Sequence, residues 1–530
     1  MKHAKAAALA AIAGILTQGA AGAAPGNAMT SDVAAILARP AMRASQLGIA
    51  FYDLDAGRML YQRDAQKYFV AASTTKVLTE STSLALLGSK YRFTTNVYRT
   101  GQIDAAGALH GDVVLRAAGD ANLSGRVQPD GTLAFENEDH AYGSTGISGA
   151  KAVPGDPLAV LRDFARQIRT RGIRSVVGRV IVDDSLFPDT TQELGTGTNV
   201  APVAVNDNVV DVTLAPGAKP GDPVRVSVSP ATPYVSFTND AVTGAAHTAN
   251  TVVIPGSDVA DGAGNRRVTI AGSLPIDSHA ILYAYPVPSA RRFAEVAFAQ
   301  VLAGAGVRVE QPPRDDSANI KAPAGTGYTD ANVIATHVSP PLSQDVKITL
   351  KVSDNLHAAM MPYLWGALLA RDTADPQGAG FKLENAFLER AGFNPLDFVQ
   401  NDGEGANAFF KPAALVRFLA YLRRRPYFAD VYRALPVLGV DGTLYNIQNG
   451  QPAAGKVHAK TGTNGNGDLL NGNRLFITGK GLLGYMTTRS GRHLAFCVYV
   501  NNIAGPASED IMTAAGQIAG EIANDGYLDL

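Results

Sequence analysis

The sequence predicts an α+β protein: a five-stranded antiparallel sheet flanked by helices, interrupted by a long β-rich insertion. Three observations predict it. An alternating apolar hairpin stands near the start, LGIAFYDL (47–54) turning at Asp55-Ala56-Gly57 into RMLYQRD (58–64), and three more β-like runs stand near the end. Segments with helical apolar spacing flank both groups. Between them, residues 92–325 change character, with short β-like runs set apart by Pro-, Gly- and Asn-rich connections. At 530 residues the chain is long enough for two or three domains. We therefore assign residues 28–91 and 326–530 to one domain that receives 92–325 as an insertion, since a surface loop tolerates inserted chain where its ends lie close together.

The N-terminus, MKHAKAAALAAIAGILTQGAAGAAPG, has a basic start at Lys2 and Lys5, an apolar run over 6–16 and small residues at Ala21-Gly22-Ala23. That is the pattern of a secretory signal peptide over residues 1–23. The apolar run is too short to span a bilayer, and no later stretch supplies a span. The single cysteine, Cys497, cannot form an intrachain disulfide and sits in a strand-like run, RHLAFCVYV. A net charge of −1 and the lack of a basic patch with interleaved aromatics argue against nucleic acid as a partner.

After the first hairpin, FVAAS leads into a predicted helix, STTKVLTESTSLALLG, with Val77, Leu78, Leu84 and Leu87 as its apolar stripe and Gly88 as its stop. Ser73 and Lys76 lie three apart and share a face. A serine hydroxyl needs a neighbouring base to become a nucleophile, and a desolvated lysine can be that base. Ser73 alone reads equally well as a helix cap, but capping gives Lys76 no task. In the first helical turn, free N–H groups and the positive helix end favour negative charge on a substrate oxygen.

Within the insertion, PGDPLAVLRDFARQIRTRG (154–172) and SARRFAEVAFAQVLAGAGV (289–307) are predicted helices. The nine histidines show no metal-ligand spacing, and the Gly-rich stretches lack a P-loop lysine, so neither a metal nor a cofactor is expected. Asp183 and Asp184 follow the strand-like VVGRVIV. Paired acids at a strand end suit either a cationic substrate group or a solvated loop.

Ser353 and Asn355 precede a helix with Leu356, Met360, Leu364 and Leu368 as its stripe. A hydroxyl can relay a proton, and a carboxamide can hold a lysine or a substrate carbonyl. Asp354 points elsewhere and fixes the loop. LENAFLERAG and PAALVRFLAYLRRR continue the helical side. In GKVHAKTGTNG (455–465), Lys460 and Thr461 end an alternating strand. Lys460 offers positive charge, the Thr461 hydroxyl a bond to a carboxylate, and Gly462 a close approach for substrate. The N–H of Thr463, with that of Ser73, suits an oxyanion hole. GLLGYMTT (481–488) and RHLAFCVYVNN (492–502) complete the sheet, and residues 508–524 form a covering helix.

S-x-x-K, S-D-N and K-T-G in this order, with a long gap after the first, resemble serine penicillin-binding proteins, specifically the low-molecular-mass class C D-Ala-D-Ala carboxypeptidase/endopeptidase family S13. The resemblance covers nearly the whole mature chain and includes LRAAGD (115–120), APVAVNDNVV (201–210) and LPVLGVDGTL (435–444). It implies a penicillin-binding-protein transpeptidase-like, serine β-lactamase-like domain with two nested inserted domains. It also implies hydrolysis of the D-Ala-D-Ala end of peptidoglycan stem peptides and cross-links in the periplasm, and a slow acyl-enzyme with β-lactams. Ser73 and Lys76 match the family nucleophile and base, Ser353 and Asn355 the second motif, and Lys460, Thr461 and Gly462 the third. Asp183 or Asp184 matches an acid that meets the free amine of the substrate. Three departures stand out: Asp402-Gly403-Glu404-Gly405-Ala406 where a D-G-S-G-L-like stretch is usual, Ala359 and Met360 where an acid is common, and a long polar loop over 464–480. The alternatives are a β-lactamase or esterase-like serine hydrolase, and an inactive peptidoglycan-binding protein.

Overall fold

The computed structural model describes residues 27–145, 147–188, 191–314, 328–472, 474–504 and 511–530. The signal peptide expected over residues 1–23 lies outside them. Five strands form the main sheet in the order Arg58–Arg63, Gln46–Asp53, His493–Ala504, Arg474–Thr487, Val457–Asp468, every pair antiparallel. This is the α+β sheet that the sequence predicts.

The strands' period of two splits the apolar residues between two cores. Ile49, Phe51, Phe496, Val498 and Val500 face helices Asn27–Leu37 and Ile511–Asp529, where Val33, Ile36, Ile518 and Ile522 meet them. Ala50, Cys497, Tyr499 and Leu483 face the other way, toward Leu415, Phe418 and Leu419 of helix Pro412–Leu422. Burying each such side chain is worth about 1.5–3 kcal/mol. Truncating Phe51 or Phe418 to Ala costs about 3–5 kcal/mol by loss of contacts and a cavity. Cys497 is buried and free.

The stretch expected as a polar loop over 464–480 is instead a hairpin ladder. Asn464 pairs with Gly479 and Asp468 with Arg474, because Leu475, Phe476 and Ile477 extend the strand pattern past the site. The ladder ends at Leu469 and Leu470, which are exposed.

In the inserted stretch, Val180–Asp183, Val113–Arg116, Thr94–Arg99 and Val333–Val338 form one four-stranded sheet in that order. Its last strand comes from beyond residue 325, a position itself outside the described residues. Helices Ala159–Thr170 and Ala290–Gly304 pack Phe164 against Phe298 over a core that this sheet shares with strands Val209–Ala215 and Ile281–Pro286.

Candidate active site

Phe69–Val70 pairs with Phe409–Phe410, and the chain then turns through the 3-10 segment Ala72–Thr74 into helix Thr75–Leu86. Ser73 thus sits in a tight turn just ahead of the α-helix. Val77, Leu78 and Leu84 are buried as expected, but so are Thr75, Lys76, Thr79, Glu80, Ser81, Thr82 and Ser83. From Thr75 to Leu84 the helix is enclosed on every side, its polar faces included. Gly88, at φ +91°, follows its end.

Two of the strained non-glycine residues of the chain lie here, Ala72 at φ +45° and Ser353 at φ +62°. Each costs on the order of 1–3 kcal/mol, which packing must over-determine. At the first, the edge strand presses on the turn: a Cβ on Gly462 would lie 2.6 Å from the Ala71 carbonyl and 3.2 Å from the Ser73 nitrogen. Gly462 therefore lets the strand approach the Ser73 turn itself. At the second, helix Leu342–Lys351 ends and Asp354 caps helix Asn355–Leu364 by accepting from the His357 N–H at 3.2 Å.

These elements bring Ser73, Lys76, Ser353, Asn355 and Lys460 into one cluster. Lys76 Nζ lies 2.9 Å from Ser73 Oγ, 3.0 Å from the Ser353 carbonyl and 3.2 Å from Ser353 Oγ, and it donates to Asn355 Oδ1. The carbonyl and the carboxamide oxygen can only accept. In the deprotonated amine they take both N–H groups and leave the lone pair for a hydroxyl. Ser353 Oγ also accepts from Lys460 Nζ at 2.8 Å, so one hydroxyl bridges two lysines. Burial lowers Lys76 to about 8, with Glu404 and Asp354 opposing. Burial, then Lys76 and Lys480, push Lys460 well below the ordinary lysine range. Thr461 Oγ1 donates to Thr443 at 2.8 Å, and Lys480 donates to Thr463 Oγ1 at 2.7 Å.

Asp354 faces away from this cluster, as expected, into a buried charge network. Arg126 reaches Asp139 at 2.7 Å, Asp207 at 2.8 Å and Asp354 at 3.5 Å. His140 bridges Asp207 at 2.6 Å and Asp211 at 3.1 Å, and His357 lies 2.9 Å from Asp345 and 3.3 Å from Asp207. Burial opposes the charge on His140, but Asp211 and Asp207 outweigh it and raise the ring to about 10. Asp207, Asp354 and His357 are close enough together to hold a metal ion, yet the Arg126 guanidinium already supplies the positive charge between two of them.

The model of the D-Ala-D-Ala carboxypeptidase 3 (S13) family matches residues 29–522. The chain belongs to that family. It is 29% identical over 518 residues to a D-alanyl-D-alanine carboxypeptidase of Actinomadura sp. (strain R39), covering 94% of this chain and 86% of that protein. It is 22% identical over 481 residues to the D-alanyl-D-alanine carboxypeptidase DacB of Haemophilus influenzae, covering 86% and 85%. The crystal structure of penicillin binding protein 4 from H. influenzae has the same fold, with a TM-score of 0.66 at 19% identity over 95% of this chain and 99% of that one.

Within this S13 chain, Asp183 and Asp184 do not join the cluster. Asp183 is buried, accepts from the Tyr328 hydroxyl and from the Ser185 N–H at 3.0 Å, and Asp184 lies 3.6 Å from Arg291. The acids that do reach the S13 site are others. Glu138 lines a cleft of about 440 Å³ with Thr461, Thr463 and Lys480. Glu404 lines a second, of about 820 Å³, with Val70, Ala406 and Asn464. Tyr142 adds a hydroxyl bonded to Ser353. Glu404 was marked in sequence as a departure. Tyr142, Glu138 and Glu193, which lines a small recess beside Asn355, carry no local signal, because only the folded insertion brings them to the site.

Proposed function

We propose that this chain is a serine D-Ala-D-Ala carboxypeptidase and D,D-endopeptidase of peptidoglycan, acting through an acyl-enzyme on Ser73. The observation that carries this is Lys76 Nζ at 2.9 Å from Ser73 Oγ, held by acceptors that leave its lone pair free for that hydroxyl. Lys76 takes the Ser73 proton as Ser73 Oγ attacks the penultimate D-Ala carbonyl. The N–H groups of Ser73 and Thr463 receive the oxyanion; losing one such donor costs about 2.7–4 kcal/mol of transition-state stabilisation. The proton returns through Lys76 and Ser353 to the leaving amine as the C–N bond breaks. Lys460, Thr461 and Lys480 receive the carboxylate of the departing D-Ala. Water then adds to the ester carbonyl, and the proton it loses restores the Ser73 hydroxyl.

Asp183 and Asp184 hold the inserted stretch together in this reading, and Glu138 is the insertion's acid placed to meet a substrate amine. We also place the mature enzyme in the periplasm, exported by residues 1–23; N-terminal sequencing of protein from that compartment checks this. The test of the chemistry is mass spectrometry after exposure to a labelled penicillin, followed by incubation with defined muropeptides. A single stoichiometric adduct on Ser73 and release of D-Ala are expected. Wild-type protein that forms no adduct at any pH overturns the scheme.

A further inference from the structure

The loop Asp402–Ala408 lies on the same helix face as Lys76. Ala71 N–H donates to the Ala408 carbonyl at 2.8 Å, and Thr79 Oγ1 donates to the Gly403 carbonyl at 2.8 Å. Gly405, at φ +97°, is so close that a Cβ would lie 2.1 Å from the Ala72 carbonyl and 2.7 Å from Thr75 Oγ1. Residues 72, 75, 76 and 79 form one face at helical spacing, so the loop places Glu404 against the Lys76 side of the helix. From the other side, Asn464 of the edge strand donates to the Ala406 carbonyl at 2.9 Å.

Two buried carboxyls share this position with unequal support. Glu193 Oε1 receives the N–H groups of Thr196 and Gly197, each at 2.6 Å, and the Thr196 hydroxyl at 2.6 Å; its other oxygen receives Gly195 N–H at 2.5 Å. Glu193 is thereby tied to its own loop. Among the described residues, Glu404 receives one protein donor, the Leu194 N–H, shared between its oxygens at 3.2 and 3.1 Å. The charged groups facing Glu404 are Lys76 from the helix, Glu193 from the insertion and Asp402 from its own loop. Beyond Lys76 lie Asp354 and Lys460.

We propose that Glu404 is a positioning residue for Lys76: the buried carboxyl and the amine gain and lose protons as one linked pair, and this linkage sets the lower pH limit of Ser73 acylation. The proposal rests on Lys76 being the base for Ser73. Burial, reinforced by Glu193, raises Glu404 to about 8, close to the value of about 8 at which Lys76 is held, so the two charges change over one pH range. An ionised Glu404 favours the ammonium form of Lys76. A neutral side chain at 404 releases the amine at lower pH.

The test is the pH profile of penicillin acylation rate for wild type, Glu404→Gln and Glu404→Asp. Glutamine is isosteric and can still accept from the Leu194 N–H. Its acid limb is expected about one pH unit lower, so that below the limb it acylates about tenfold faster relative to its own plateau. Aspartate, which restores the charge, is expected to move the limb back toward wild type. A Gln profile that superposes on wild type, or shifts upward, overturns the proposal. A second measurement needs no activity: a ¹³C-carboxyl titration of Glu404 by NMR in wild type and Lys76→Ala, assigned by the signal missing in Glu404→Gln. Loss of the lysine is expected to raise the Glu404 midpoint, and an unmoved midpoint overturns the linkage. If wild type forms no acyl-enzyme at all, the functional reading fails while this titration still decides the linkage.

Discussion

The Ser353–Asp354–Asn355 turn separates two buried polar clusters that are built alike and resolve their charges oppositely. On one side, Lys76 and Lys460 bridge through Ser353 Oγ with no carboxylate in hydrogen-bond contact among the described residues. Both lysines are pushed down by burial. On the other side, Arg126, His140 and His357 are surrounded by Asp139, Asp207, Asp211, Asp345 and Asp354. There every cation is held more firmly charged than in water. The cleft gives its lysines no hydrogen-bonded carboxylate among the described residues, only the more distant pull of Glu404 and Asp354, so their protons stay available for chemistry. The network compensates its charges and fixes the geometry of the turn. One tripeptide serves both because Ser353 and Asn355 turn to the cleft and Asp354 turns to the network.

If that division holds, substitutions on the two sides separate activity from stability. Ser73→Ala and Lys76→Met are expected to reduce acylation by a labelled penicillin on the order of 10³-fold or more. Lys76→Met should leave the thermal midpoint unchanged or higher, because it removes a buried cation whose burial outweighs the pull of Glu404 and Asp354 and which hydrogen-bonds to no carboxylate among the described residues. Asp207→Asn is expected to do the reverse, lowering stability by about 3–5 kcal/mol in denaturant unfolding. Arg126 and His140 hold Asp207 well below the usual carboxylate range against its burial, so it is ionised, and its loss removes the carboxylate that the two cations share, leaving Arg126 to Asp139 and Asp354 and His140 to Asp211. Equal losses of stability in Lys76→Met and Asp207→Asn would erase the comparison.

The same contrast explains what was legible in the sequence. Ser73, Lys76, Ser353, Asn355 and Lys460 were readable because each motif is short and local and their order is specific; the structure then brings these five together. The sheet was readable because its strands bury alternating residues on both faces, as in Ile49-Ala50-Phe51. The network was not readable. Arg126 and Asp207 are 81 residues apart and Asp207 and His357 are 150 apart, and no local period links them. The apolar stripe of Val77, Leu78, Leu84 and Leu87 marks only one buried face of the helix, yet the whole of Thr75–Leu84 is enclosed. The 464–480 stretch was misread because its glycines and asparagines masked the strand pattern of Leu475–Ile477.

A pH series sharpens the comparison further, since the two clusters pull in opposite directions. His140 is raised to about 10, so the stability it contributes is complete below about 6.5 and is lost as pH rises through about 10. Lys76 is lowered to about 8, so its protonation costs stability below that pH, and the cost disappears as pH rises from 8 toward the ordinary lysine value. Each effect is on the order of a few kcal/mol. Denaturant midpoints between pH 6 and 10 are expected to fall more steeply with pH in Lys76→Met than in wild type, and less steeply in His140→Gln. Parallel curves for all three proteins would mean that neither group's charge is coupled to folding.

The smallest effect is expected where the two clusters meet. Burial raises Asp354 above the usual carboxylate range despite His357 and Arg126, so its carboxyl is closer to neutral than that of Asp207. Asparagine resembles that neutral acid, and its side-chain oxygen can still accept from the His357 N–H to cap the helix. Asp354→Asn is therefore expected to cost no more than about 1 kcal/mol of stability. Because Ser353 and Asn355 flank it, any shift of the turn reaches Lys76 directly, and acylation is the more sensitive readout; a fall within about tenfold is expected. A stability loss as large as that of Asp207→Asn would mean that Asp354 is a full member of the ionised network, and that the boundary between the two clusters runs through Ser353 alone.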